Sequence, residues 1–230
     1  HITSLNQVEE LEQQWILGAG VTYSQAELLL ANDFPAFTQL LHRIGSRQIR
    51  NMGTLGGNIA NASPIGDTPP VLLALDAELE IDGIYGRHRM AANDFFTGYK
   101  QTRLRQGEYL RAIYLPKLTA RQTLSCFKVS KRYDDDISAV MLAAWVERND
   151  DQIVDVRIAC GGMAATPKRA YQVEQGLRQQ PWSEATMRQA AADVSLDYQP
   201  IDDVRASSQY RIQLVQNLLV KIWAEQEGVA

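Results

Sequence analysis

Apolar residues fall in short bursts along this chain, and the bursts lengthen past residue 120. Trp15-Ile16-Leu17, closed by Gly18 and Gly20, has the pattern of a short buried strand. Thr22 and Ser24 then stand as caps ahead of Ala26, Leu28, Leu29, Leu30 and Ala31, all good helix formers. A second helix is predicted over 35–43, with Pro at its start, Gly45 beyond its end, and Phe37, Leu40, Leu41 and Ile44 on one face. Residues 71–75 read as a helix that Asp67 or Thr68 caps. Residues 78–81 alternate as a half-exposed strand, 92–96 form a helical turn, and 109–115 form a strand ended by Pro116.

Three strand-like runs follow, at 124–129, 137–147 and 153–160, the last two joined by a hairpin connection at 148–151. Helices are predicted from Thr166-Pro167 to Gly176, from Ser183, and over 208–225, the last with Ile212, Val215, Leu219 and Ile222 on one stripe. Strands followed by packed helices predict an α+β unit, with a boundary near 117–120.

Between the early helices lies a segment that carries neither period, 49–70. It holds Gly53, Gly56, Gly57 and Gly66, three Asn, three Pro, and only two charges, Arg50 and Asp67. Met52, Leu55, Ile59 and Ile65 interrupt its polarity, which predicts an ordered loop laid over something. Two readings of Gly56-Gly57-Asn58 stand side by side. One is a plain structural turn; the other is a backbone nest for a ligand, with Thr54, Asn58 and Ser63 adding polar groups. Asp67 likewise reads either as a helix cap or as an acceptor for a polyol hydroxyl.

Composition narrows the classes. The chain has 230 residues, 45% hydrophobic and 22% charged, with a net charge of −4, which excludes disordered, collagen-like and coiled-coil readings. No apolar run approaches the ~18 residues a membrane span needs. Mild acidity without a basic stripe argues against a nucleic-acid partner. Cys126 and Cys160 read as buried reduced thiols, which suits a reducing cytoplasm, and neither has metal-site spacing. His1, His42 and His88 are scattered, and Asp134-Asp135-Asp136 on an extended chain point in alternating directions, so no metal is expected. The run from Phe127 to Ile137, with the cations Lys128, Lys131 and Arg132 ahead of the three acids, reads as a solvated, self-pairing turn.

Two stretches together carry a resemblance. Gly53-Thr54-Leu55-Gly56-Gly57-Asn58, followed by Ala62-Ser63-Pro64-Ile65-Gly66-Asp67-Thr68-Pro69-Pro70, resembles the FAD-binding domain of the xanthine dehydrogenase family. Phe127-Lys128-Val129-Ser130-Lys131-Arg132-Tyr133-Asp134-Asp135-Asp136-Ile137-Ser138 is similar to the start of that family's flavoprotein C-terminal domain. The second half of the first stretch is most similar to the flavin- and iron–sulfur-carrying small subunit of bacterial xanthine dehydrogenases. The fold implied is the C-terminal part of a PCMH-type FAD-binding domain over 1–118. A CO dehydrogenase flavoprotein C-terminal-like domain, an antiparallel three-stranded sheet with helices, follows over 119–230.

The resemblance implies that Thr54, Leu55, Gly56, Gly57 and Asn58 line FAD, and that Asp67 contacts its ribityl chain. It implies that the Leu110 backbone meets the ring edge, that Lys128 lies beside the isoalloxazine, and that Ile44 packs against the ring. Arg132 and the acids 134–136 match a charged loop governing access of NAD or oxygen. The family's pyrophosphate-binding segment has no counterpart before Trp15, and the chain opens at His1 without Met, so a longer natural chain is expected. Two [2Fe-2S] clusters and molybdopterin are implied in upstream domains or a large partner subunit, with a higher oligomer of the heterodimer and NAD as acceptor. Two alternatives remain: the flavin subunit of a CO, aldehyde or aromatic-acid dehydrogenase, or a non-catalytic module that stabilises partner subunits.

Overall fold

A computed structural model describes residues 2–229. In chain order the strands and helices are β1 (Val8–Glu10), β2 (Gln14–Gly18), α1 (Tyr23–Leu29), α2 (Pro35–His42), α3 (Arg47–Met52), α4 (Leu55–Ala60) and α5 (Pro69–Ala74). There follow β3 (Glu78–Gly83), β4 (His88–Ala91), α6 (Ala92–Phe95), β5 (Phe96–Gly98), β6 (Gln101–Thr102) and β7 (Glu108–Pro116). The second half holds β8 (Gln122–Val129), β9 (Val140–Asn149), β10 (Gln152–Gly161), β11 (Lys168–Arg169), α7 (Tyr171–Leu177), α8 (Glu184–Ala191), α9 (Val194–Asp197) and α10 (Ser208–Gln226).

The first sheet runs β1-β2-β7-β3-β4, every pairing antiparallel. Alternation sends Leu17, Leu79, Ile81, Ile113 and Leu115 into one core with Phe37, Leu41 and Ile59 from the helices. Glu80 pairs Ala112 while Ile81 pairs Leu110, so Arg111 is the extra residue of a bulge in β7. Its carbonyl faces β2, where it accepts from the Ala19 amide at 2.9 Å and continues the β2–β7 register.

The second sheet runs β11-β10-β9-β8, four strands where three were expected. The added edge, β11, is two residues long and leaves no hydrophobic pattern to read. Strand β9 serves two cores at once. Val140, Leu142, Ala144 and Val146 face the layer of α7, α8 and α10, whereas Met141, Ala143 and Trp145 join the core of the first half. Helix α5, wholly buried, is wedged against β9 and β10 from the other side.

Several predicted boundaries move. The stretch 49–70 is not a continuous loop: it holds the end of α3, all of α4 and the start of α5. Ser46 caps α3, Thr54 caps α4 and Pro69 opens α5, but six-residue helices complete fewer than two turns and so show no period. The helix expected at Thr166 begins at Tyr171 instead, after β11. The strand expected from 137 begins at Val140, because residues 130–137 are occupied by a turn. Among the described residues, no helix is long and apolar enough to cross a membrane.

Candidate functional site

Three polar side chains close a triangle across the junction between the two halves. Lys128 Nζ donates to Asp67 Oδ2 at 2.6 Å and to Ser138 Oγ at 2.9 Å, and the Ser138 hydroxyl donates to Asp67 Oδ1 at 2.5 Å. All three are buried. The strand pattern puts Lys128 there: Phe127 and Val129 pack toward the helical layer, so Cys126 and Lys128 point the other way, toward the first half. Ser138 sits at the root of β9, where the Ala139 amide bonds the Val129 carbonyl. Lys128 has three donors and the triangle uses two, so one N–H remains for a ligand.

Asp67 is therefore not the helix cap. Thr68 holds the cap position of α5 without a side-chain bond to that helix, and its hydroxyl goes to Asn58 Oδ1 at 2.6 Å. The Thr68 amide reaches the same oxygen at 3.3 Å. Asn58 and Asp67 are thus held next to each other through one residue.

Of the two readings of Gly56-Gly57-Asn58, a structural turn or an amide nest, the internal bonding of the segment fits the structural one. The Leu55 amide bonds the Val21 carbonyl, Gly56 bonds the Ala19 carbonyl, and Gly57 bonds the Thr54 hydroxyl that caps α4. The amides an anion would need are taken. Gly56 is required for packing, since a β-carbon there would lie 2.4 Å from the Ala19 β-carbon. Gly57, one residue on, is exposed, so its α-carbon offers an open surface to a ligand. Leu55 faces the core.

Tyr23, which no sequence signal singled out, belongs to the same neighbourhood. Its ring packs against Gly53, its amide bonds the Gly53 carbonyl, and its hydroxyl lies beside Asn58. Burial first, and then the negative charge of Asp67, push its hydroxyl up to about 12, so it stays protonated. Two further expected residues, Ile44 and Leu110, lie in the apolar core of the first half, Leu110 beside the β7 bulge and Ile44 packed against that core's edge.

Beside Lys128 opens a cavity of about 320 Å³ lined by Gln39, Leu40, His42, Arg43, Cys126 and Tyr133. Cys126 is half-buried rather than buried, and desolvation raises its thiol above the ordinary value. The acids of 134–136 do not converge. The Asp136 carboxyl accepts from the Arg132 and Ile137 amides and Arg132 Nη2 reaches the Asp135 carbonyl, a self-paired exposed turn. No group of three metal-ligating side chains occurs among the described residues. A second cleft, about 580 Å³, lies between the halves, with Ser63, Pro64 and Ile65 on one wall and Arg205 and Arg211 on the other, and Lys100 also lining it.

The residues present fit a flavin nucleotide in a specific way. The uncovered Gly57, the spare Lys128 donor and the Asp67 carboxylate are what a ring with carbonyl acceptors and a polyol chain would use, while the consumed amides leave little for a phosphate.

Comparison with known proteins converges on the same chemistry. Residues 1–118 match the FAD binding domain in molybdopterin dehydrogenase, and residues 125–226 the CO dehydrogenase flavoprotein C-terminal domain. The chain is 33% identical over 228 residues to the glyceraldehyde dehydrogenase medium chain of Sulfolobus acidocaldarius, covering 97% of this chain and 77% of that one. It is 34% identical over 198 residues to xanthine dehydrogenase of Drosophila pseudoobscura pseudoobscura, covering 78% of this chain but only 15% of that protein. Among solved structures, carbon monoxide dehydrogenase from Hydrogenophaga pseudoflava superposes with a TM-score of 0.91 over 96% of this chain and 77% of that one. At 23% identity this likeness shows the fold alone.

Proposed function

The chain belongs to the family of FAD-binding domains in molybdopterin dehydrogenases, and on that premise we propose that it is the flavin-carrying, electron-transfer component of a xanthine-oxidising molybdenum hydroxylase. A second reading, the flavin component of an aldehyde-oxidising enzyme, is favoured by the 33% identity to the glyceraldehyde dehydrogenase chain across nearly all of this chain. FAD, when bound, would supply the redox chemistry, taking electrons from iron–sulfur clusters of a partner and giving hydride to NAD. The partners proposed are an iron–sulfur component and a molybdopterin-binding large subunit, in the cytoplasm.

The observation that carries the proposal is the Asp67–Lys128–Ser138 triangle. It sets a fixed cation with one unused donor at a buried junction, where a charge acts strongly on a neighbouring ring. Lys128 would offset negative charge on the reduced ring and Asp67 would accept from hydroxyls of the ribityl chain. Asn58 and Gly57 would support that chain, with Thr54 holding α4 in place through its cap. Ile44 and Leu110 would furnish apolar walls, and Leu55 and Gly56 would act behind the site by packing. Lys100 would offer positive charge to a dinucleotide acceptor in the cleft walled by Ser63 and Ile65, where Arg205 is ion-paired with Asp203.

FAD titration of the full chain, followed by flavin absorbance and fluorescence, tests the binding. Saturable binding is expected, and Lys128→Met weakens it roughly tenfold, about 1.4 kcal/mol. Folded protein that binds no flavin would overturn the proposal. In the assembled enzyme, Lys128→Ala slows NAD reduction and spares substrate oxidation with an artificial acceptor. Turnover of purines against aldehydes by that assembly separates the two readings.

A further inference from the structure

The turn at 130–137 leaves the sheet at Val129 and returns at Ser138, and a side chain from the first half spans its root. Arg43, the residue that closes α2, donates from Nη1 to the Lys128 carbonyl at 2.7 Å and from Nη2 to the Tyr133 carbonyl at 3.2 Å. Its guanidinium also lies 4.5 Å from the centroid of the Tyr133 ring. The Arg43 Nε is buried and has no partner. An arginine free to sit at the surface keeps that nitrogen hydrated, so the sunken position is imposed by what its other two nitrogens hold.

Lys128 is consequently gripped from both ends. Its ammonium is fixed by Asp67 and Ser138, and its carbonyl by Arg43. Two carbonyls five residues apart in the chain are bridged by one planar fork, which a lysine, with a single point of charge, cannot reproduce. We infer that Arg43 is a positioning residue: it pins the root of the 130–137 turn to α2 and so fixes Lys128 at the edge of the cavity beside it. The inference rests on the flavin reading for its functional consequence, and on the chain's own geometry for the pin itself.

Hydrogen exchange on the full chain reads the pin without any cofactor. Arg43→Met and Arg43→Lys both speed exchange of the amides over 129–137 roughly tenfold and leave β9 and β10 protected. Tyr133→Phe, which retains carbonyl and ring, leaves exchange unchanged. In the flavin-loaded protein both Arg43 variants shift the flavin midpoint potential and weaken FAD binding, whereas Tyr133→Phe does neither. Wild-type exchange over 129–137 in the Arg43 variants overturns the pin, and Arg43→Lys decides the matter if Arg43→Met does not fold. Faster exchange with unchanged flavin potential and affinity overturns the positioning of Lys128. Failure of the wild-type chain to bind FAD removes only the flavin reading, because exchange still judges the pin.

Discussion

A β-carbon placed on Gly56 would stand 2.4 Å from the Ala19 β-carbon and 2.5 Å from the Ala19 carbonyl oxygen, whereas one on Gly57 meets only the Thr54 hydroxyl, at 2.9 Å. The two adjacent glycines therefore answer to different demands. Gly56→Ala drives α4 off the end of β2 and is expected to destabilise the fold by about 1–3 kcal/mol, as overpacking does. Gly57→Ala disturbs one cap and gains helix propensity, so stability stays within about 1 kcal/mol while flavin affinity falls. Chemical denaturation beside FAD titration checks both. The buried ion pair gives a second contrast. Asp67→Ala strands Lys128 without its counter-charge and is expected to destabilise by roughly 3–5 kcal/mol. Asp67→Leu combined with Lys128→Met recovers most of that loss, and a urea series on the two proteins decides it.

At the scale of elements, α10 shows what a sequence discloses and what it hides. Its apolar stripe was legible, and Val215, Leu219 and Ile222 are buried as the period demands. Arg211 on the same helix was not, since a buried arginine breaks the pattern that reveals a helix face. It bonds the Gly162 and Ala139 carbonyls and Asp203. Asp203 in turn governs the acid limit of this corner. Burial alone would raise its carboxyl, but bonds from the Arg205 and Ala206 amides and from Arg211 hold it at about 2. Its folded value lies below the unfolded one of about 3.9, so its contribution is present above about pH 4 and disappears as pH falls through about 2. Asp203→Asn should flatten the pH dependence of stability across that window, measured by thermal unfolding. The missed helices of 49–70 have a different cause: α4 is held by a cap and by hydrogen bonds to 19–21, distant in sequence. The runs that carry Lys128 and Asp67 are distinctive in the sequence, and the fold pairs the two side chains across the junction. Tyr23, which joins them only by folding, was not.

For the molecule as a whole, a boundary proposed at 118/119 divides the sequence without dividing the core. Met141, Ala143 and Trp145 of β9 complete the interior of the first half, and α5 of the first half lies buried on the second sheet. Each large apolar side chain so covered contributes about 1.5–3 kcal/mol. The full chain is expected to unfold in one transition, with tryptophan fluorescence and far-ultraviolet circular dichroism coinciding. Neither 1–118 nor 119–230 alone is expected to show a cooperative transition; a stable, cooperatively melting half would refute the shared core.

The same sharing sets an order of events during synthesis. Asp67 emerges from the ribosome well before Lys128 and Ser138, and the sheet that aims those two at it is complete only when β11 has followed. A nascent chain thus carries one corner of the triangle and no means of holding a guest there. On the proposed flavin site, occupancy comes last, and a filled site marks a chain whose assembly is finished.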